Sequence, residues 1–227
     1  MPPAINDNRM KIPVCKPLLP SGADILPYID VIDSTRQYSN NGGLVQLLES
    51  RIAKHFDVSP SCVACVSSAT MGIMVTLLAM DISPNKKCVI PSWTFSATAH
   101  AVLAAGLKLS IFDVDENSGM LTPEFFETQS ESVIEEIDAI VTVSHFGAPV
   151  DGQEWSARAN KWDKKVVIDA AAGFDSLIPS EVPAVVSLHA TKPLASGEGG
   201  VVICTDEDLI SRIKSIRNFG FEDGNSS

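Results

Sequence analysis

Seven short apolar runs, most of them rich in Val or Ile, constrain this chain more than any other feature. They cover residues 62–66, 88–91, 109–113, 139–143, 166–169, 184–188 and 200–204. Each has the length of a strand, and near-continuous apolar runs of this length suit strands buried on both faces. Helix signals lie between the early runs, at 71–79, at 97–105, at a Thr122-Pro123 cap ahead of 124–128, and at 151–160. Strand alternating with helix predicts an α/β chain with a mostly parallel seven-stranded sheet and helices on both faces. Ligands in such sheets sit outside the carboxyl ends of the strands, so the residues that follow each run are the functional candidates.

One helix precedes the first run and another follows the last. Leu44, Leu47, Leu48, Ile52 and Phe56 recur at the spacing of an amphipathic helix, with Glu49, Arg51 and Lys54 on its other side. After the last run, Thr205-Asp206-Glu207-Asp208 caps a helix that runs to about Arg217 and is stopped by Asn218-Phe219-Gly220. The expected division is an N-terminal segment and entry loop over 1–43, one large domain over 44–221, and a polar frayed end over 222–227. At ~150 residues per domain, 227 residues fit one large domain or one plus part of a second.

Charge and composition narrow the class of partner. The 28 Asp and Glu outnumber 17 Lys and Arg, a net charge of −11 that argues against a nucleic-acid partner. It leaves room for a small phosphorylated ligand, because backbone amides at a helix N-terminus hold a phosphate without a basic patch. Residues 58–80 and 89–107 lack Asp, Glu, Lys and Arg, but their Ser, Thr and Pro content excludes a membrane span. Residues 1–10 hold no apolar signal-peptide core, and a cytoplasmic location is expected. The five cysteines are scattered, and the single CxxC at Cys62 and Cys65 lacks a second pair, so both are read as buried strand thiols. His55, His100, His145 and His189 show no metal-ligand spacing, and no metal is expected.

Four strand exits carry chemistry-bearing residues. Ser67-Ser68-Ala69-Thr70 follows the first run with small residues where a helix begins, suited either to an anion or to plain capping. Pro91-Ser92-Trp93-Thr94-Phe95 places two aromatics at the second exit, as the wall of a flat-ring pocket or as core. Asp169 tips an apolar strand and needs a cationic partner or a capping role. Lys192 lies in the segment from Ser187 to Gly200, whose three glycines let the backbone pass close to something bulky. The lysine is an amine nucleophile for an aldehyde or a solvated side chain on a surface hairpin.

Taken in order, these segments resemble the sugar aminotransferases of the DegT/DnrJ/EryC1/StrS family, which use pyridoxal 5′-phosphate. The resemblance runs from about Pro13 to Phe221. Its motifs are Tyr38-Ser39-Asn40-Asn41-Gly42-Gly43-Leu44, Ser67-Ser68-Ala69-Thr70, and Pro91 through Ala99. They continue with Phe112-Asp113-Val114-Asp115, His145 through Asp151, Asp169-Ala170-Ala171, the lysine loop and Arg217-Asn218-Phe219-Gly220-Phe221.

The resemblance implies a fold-type-I aminotransferase large domain, with the family's small C-terminal domain largely absent. Lys192 matches the Schiff-base lysine, which also moves a proton between substrate carbon and cofactor. Asp169 matches the carboxylate that pairs with the pyridinium nitrogen. Ala69 and Thr70 match the phosphate cradle, Ser187 a further phosphate hydroxyl, and Phe95 the aromatic that stacks on the ring. Ala172 stands where the family often has Gln or His near the cofactor. The implied reaction moves an amino group from glutamate to a nucleotide-linked keto-sugar in a homodimer, since family active sites form at a dimer interface. The alternative is a truncated, non-catalytic relative with a binding or regulatory role. Lys192 argues against the family's dehydratase branch, in which histidine replaces it.

Overall fold

The computed structural model describes residues 15–220; the readings made on residues 1–10, on Pro13 and Phe221 and on the polar end at 222–227 lie outside the described residues. All seven apolar runs form strands, with ends shifted by one or two residues. They are β1 (Val63–Val66), β2 (Lys87–Pro91), β3 (Lys108–Phe112), β4 (Ile137–Val143), β5 (Lys165–Asp169), β6 (Ala184–Ser187) and β7 (Gly200–Ile203). One sheet contains them in the order β1-β7-β6-β5-β4-β2-β3. The pairs from β6 through β5, β4 and β2 to β3 are parallel, while β7 runs antiparallel to both β6 and β1.

The helices are α1 (Gly22–Thr35), α2 (Gly43–His55), α3 (Ala69–Ala79), α4 (Ser96–Ala104), α5 (Pro123–Glu127), α6 (Glu131–Glu135), α7 (Gly152–Trp162) and α8 (Glu207–Arg217). Two layers of core explain their placement. Alternate strand residues such as Ala64, Ile90, Val141, Val167, Val185 and Val202 meet α3, α4 and α8 on one face. Their neighbours Val63, Val89, Ile140, Ile168, Val186 and Val201 meet α2, α5 and α7 on the other. Burial on both faces is why the strands read as continuous apolar runs rather than alternating ones.

Three features differ from the sequence reading. Residues 22–35, inside the stretch read as an N-terminal segment and entry loop, form α1, at whose start the Ser21 backbone N–H and hydroxyl both donate to the Asp24 carboxylate. Pro27 lies within this helix and none of its residues is buried, so neither propensity nor an apolar stripe announces it. Cys62 sits in a 3₁₀ turn (Pro60–Cys62) rather than on a strand, and Cys65 on β1 is only half-buried.

Glu49 is the third. It faces inward, 4% exposed, because a cluster of cations and donors meets it. Arg217 Nη1 donates to its Oε1 at 2.6 Å, Lys214 Nζ lies 3.0 Å from Oε2, and the Cys65 backbone N–H donates to Oε1 at 2.9 Å. Arg217 also donates to the Cys65 carbonyl and to Asn41 Oδ1. This network fastens α2, β1, α8 and the segment around Asn41 to one another. A buried carboxylate is tolerated because its charge and both oxygens are matched.

Strand direction sets up the functional end of the sheet. Because β7 runs against its neighbours, its first residue, Gly200, pairs with the last residue of β1, Val66, and the last residue of β6, Ser187. The exit of β1 into α3, the exit of β6 and the end of the lysine loop therefore converge, although they lie far apart in sequence. Asp169 ends β5, beside β6.

Candidate active site

A cavity of about 400 Å³ opens at this convergence. Ala69, Thr70, Phe95, Asp169, Ser187 and Lys192 all line it, joined by Ser68, Ala97, Ala171, His189, Thr191 and Glu198. One expected neighbour stands elsewhere: Ala172 does not line the cavity, and its carbonyl oxygen lies 2.8 Å from where a Cβ on Gly147 would stand. Its side chain is a methyl group and offers no polar atom to a ligand.

The anion end is built by α3. Ser68 caps the helix, its hydroxyl accepting from the Met71 N–H at 3.2 Å, while its carbonyl accepts from the Gly72 N–H at 2.9 Å. The amides of Ala69 and Thr70, in the first turn, have no intrahelical acceptor and carry the positive end of the helix dipole. Gly200 makes the approach of β7 possible. A Cβ there would stand 2.7 Å from Ala69 N, 2.7 Å from the Ser68 carbonyl carbon and 2.9 Å from its oxygen. Ser187, across the pair from Gly200, is 7% exposed, and its hydroxyl accepts from the His189 N–H at 3.2 Å. The hydroxyl proton remains free for a further acceptor.

The carboxylate end is more enclosed. Asp169 is 6% exposed, and burial pushes its carboxyl above the usual range. The Thr98 hydroxyl, donating to Oδ2 at 2.6 Å, the Ala171 N–H, donating to Oδ1 at 3.1 Å, and the charge of Lys192 pull it back. Lys192 is carried by the loop between β6 and β7. Its backbone N–H donates to the His189 carbonyl, and bonds from Leu188 to Gly199, Ala190 to Gly197 and Ser196 to Leu188 close the loop's base. Gly197 and Gly199 have φ of 102° and 149°, a region open to glycine, which explains the glycine content of the loop. The N-cap of α4 is Phe95, 78% exposed and standing at the cavity's edge as a ring that a flat ligand could stack on.

Thr98 was hidden from the sequence reading because a threonine in an apolar helix is ordinary packing. Its only signal is the i,i+4 spacing from Thr94. His189 and Glu198 lay inside the lysine loop without a pattern to single them out. Among the described residues no group of three or more His, Cys, Asp or Glu side chains is placed to hold a metal ion, and no helix is long and apolar enough to cross a membrane.

The arrangement offers a phosphate cradle without a basic patch, an enclosed carboxylate, an aromatic wall and an amine within one cavity. It fits a flat, phosphorylated aldehyde with a basic ring nitrogen.

The sequence model described as the DegT/DnrJ/EryC1/StrS aminotransferase family matches residues 21–227. A dTDP-4-amino-4,6-dideoxy-D-glucose transaminase from Shigella dysenteriae is 29% identical over 216 residues, 92% of this chain and 57% of its own. The crystal structure of DesI in the presence of its TDP-sugar product superposes with a TM-score of 0.81 at 28% identity, over 92% of this chain and 53% of that one. The sugar aminotransferase CalS13 from Micromonospora echinospora gives 0.78 at 25% identity, over 94% and 59%. The chain spans little more than half the length of these relatives.

Proposed function

The chain belongs to the DegT/DnrJ/EryC1/StrS aminotransferase family, with pyridoxal 5′-phosphate as its cofactor, and from that premise we propose that it serves transfer of an amino group to a nucleotide-linked keto-sugar. The observation that carries the proposal is the convergence of Lys192, Asp169, Ser187 and the N-terminus of α3 on one cavity. Glutamate is the proposed amino donor, a homodimer the proposed working form and the cytoplasm the proposed location.

The cofactor, when bound, supplies a conjugated ring that takes up negative charge developing on the carbon beside an amino group. This chain's residues supply the rest. The amides of Ala69 and Thr70 and the hydroxyl of Ser187 would hold the phosphate. Asp169, ionised, would hold a proton on the ring nitrogen, because a buried anion favours the charged form of its partner. Phe95 would cover one face of the ring and exclude water from it. The Nζ of Lys192 would hold the aldehyde through its amine, and as a free amine it would be the group placed to take up and return a proton.

The test is the visible absorption spectrum of the purified protein with added cofactor, before and after borohydride, beside Lys192→Ala. A shifted band that borohydride converts to a permanent label on wild type but not on the variant is the expected result. No band at saturating cofactor would overturn the proposal at its first step. Amino transfer from glutamate to keto-sugars then tests the substrate class, and a strictly monomeric species under cofactor-saturating conditions would count against the dimer.

A further inference from the structure

Thr98 is fully buried, and a hydroxyl at that depth costs stability unless it is bonded. Its partners form a chain. Thr98 Oγ1 lies 2.6 Å from Asp169 Oδ2 and 2.7 Å from Thr94 Oγ1. An ionised carboxylate only accepts, so the single proton of Thr98 goes to Asp169, and the hydroxyl of Thr94 donates to Thr98. The carbonyl of Phe95, the other acceptor near Thr94, is farther away at 3.4 Å. A separation of 2.6 Å is that of an O–H donating to a charged oxygen.

We infer that Thr98, backed by Thr94, is a positioning residue that keeps Asp169 ionised and fixes how its carboxylate faces the cavity. The inference rests on the reading of Asp169 given above and extends it to α4. With Thr98 on Oδ2 and the Ala171 N–H on Oδ1, both oxygens are anchored, so the carboxylate cannot rotate. The neighbours of Asp169 come from three elements: Ala171 from the exit of β5, Thr98 from α4, and the ammonium of Lys192 from the β6–β7 loop. Only the last carries a charge, and its help to Asp169 would be lost whenever the Lys192 amine was engaged elsewhere. Thr98 would stay, and its hydrogen bond opposes the effect of burial with or without the lysine. The same turn that seats Thr98 also presents Phe95, so ring wall and carboxylate are set by one piece of backbone.

The experiment follows the ¹³C carboxyl signal of Asp169 against pH in ligand-free protein labelled at that carbon, the signal being identified by its loss in Asp169→Asn. Wild type is compared with Thr98→Val, Thr98→Ser and Thr94→Val, each checked by circular dichroism, and cofactor affinity is measured on the same set. Thr98→Val should move the titration upward and weaken pyridoxal phosphate at least ~10-fold, the scale of a hydrogen bond to a charged group. Thr98→Ser should restore both, and Thr94→Val should shift them less in the same direction. A Thr98→Val protein that titrates and binds like wild type would overturn the inference. So would a serine variant as defective as the valine one, since that would show packing rather than the hydroxyl at work. If Asp169→Asn keeps full cofactor affinity, the role assigned to Asp169 fails separately, because the titrations are read without cofactor.

Discussion

Gly200→Ala is the substitution whose effect the packing at the α3 N-terminus sets most directly. The added Cβ would stand 2.7 Å from Ala69 N and from the Ser68 carbonyl carbon, and all three of its nearest atoms are backbone. No rotamer change relieves that. Gly200 is also held on both sides, paired with Val66 and with Ser187, so β7 cannot step aside without opening two ladders. The N-terminus of α3 must retreat instead, by ~0.7 Å to regain an ordinary contact, a shift of the kind that costs ~1–3 kcal/mol in a packed core. The retreat also moves the Ala69 and Thr70 amides, and a bond that would be ~2.9 Å long becomes ~3.6 Å, which is no longer a hydrogen bond. Losing amide contacts to a charged phosphate should weaken cofactor binding ~10–100-fold. The control is Gly72→Ala, one turn into α3. Its Cβ would meet Val185 Cγ1 at 2.6 Å, so it too should destabilise the fold, but the clash is with a side chain on the sheet rather than with the amides. Thermal unfolding and cofactor titration by fluorescence separate the cases: both variants lose stability, and Gly200→Ala alone loses most of its affinity. Cofactor affinity in Gly200→Ala equal to that of Gly72→Ala would refute the argument that Gly200 shapes the cradle.

Other expectations follow from burial and charge. Burial pushes the thiols of Cys65, Cys88 and Cys204 up to about 12 and also raises Cys62, so a thiol reagent at neutral pH should react promptly with exposed Cys15 and reach the rest only on unfolding. Glu49→Ala should cost ~3–5 kcal/mol in urea unfolding, because it leaves Arg217 and Lys214 without their buried anion. A carboxyl raised by burial binds its proton more tightly folded than unfolded, so Asp169 makes the ligand-free protein lose stability as pH climbs above the ordinary 3.8 and through the raised value. Asp169→Asn should abolish that loss, and its advantage in melting temperature over wild type should widen across the same window.

Which parts of this molecule can be read from sequence depends on whether a residue's role is local. The seven strands were legible because burial on both faces leaves runs such as Val166-Val167-Ile168 with no polar member. The ends of α8 were legible from Asp206, whose carboxylate accepts the Leu209 N–H, and from Asn218-Phe219-Gly220. Helix α1 was not, since an exposed helix needs no stripe and Pro27 speaks against it. Glu49 was misassigned to the solvent side because its partners, Lys214 and Arg217, lie more than 160 residues away, and helical periodicity carries no information about them. Thr98 failed for the same reason: its bond to Asp169 spans 71 residues. Candidate residues tied to a strand exit line one cavity, whereas Ala172, named only from the family resemblance, is not among its lining residues.

The charge balance of the site explains why so few basic residues are needed. Among the described residues lining the cavity, Lys192 supplies the one ammonium, and Asp169 and Glu198 are carboxylates. On a chain of net charge −11, a phosphate gains little from long-range attraction. In the proposed site its binding would come from dipoles at contact distance: the amides that open α3 and the hydroxyl of Ser187. Dipoles act only over short range, so their positions must be held tightly, and the fold does this by wedging the α3 N-terminus against a strand that can only be glycine at that point. On that reading the one lysine would have no duty to the phosphate. In the proposed role its amine would be available to the aldehyde and to a proton, while Thr98 stays bonded to Asp169.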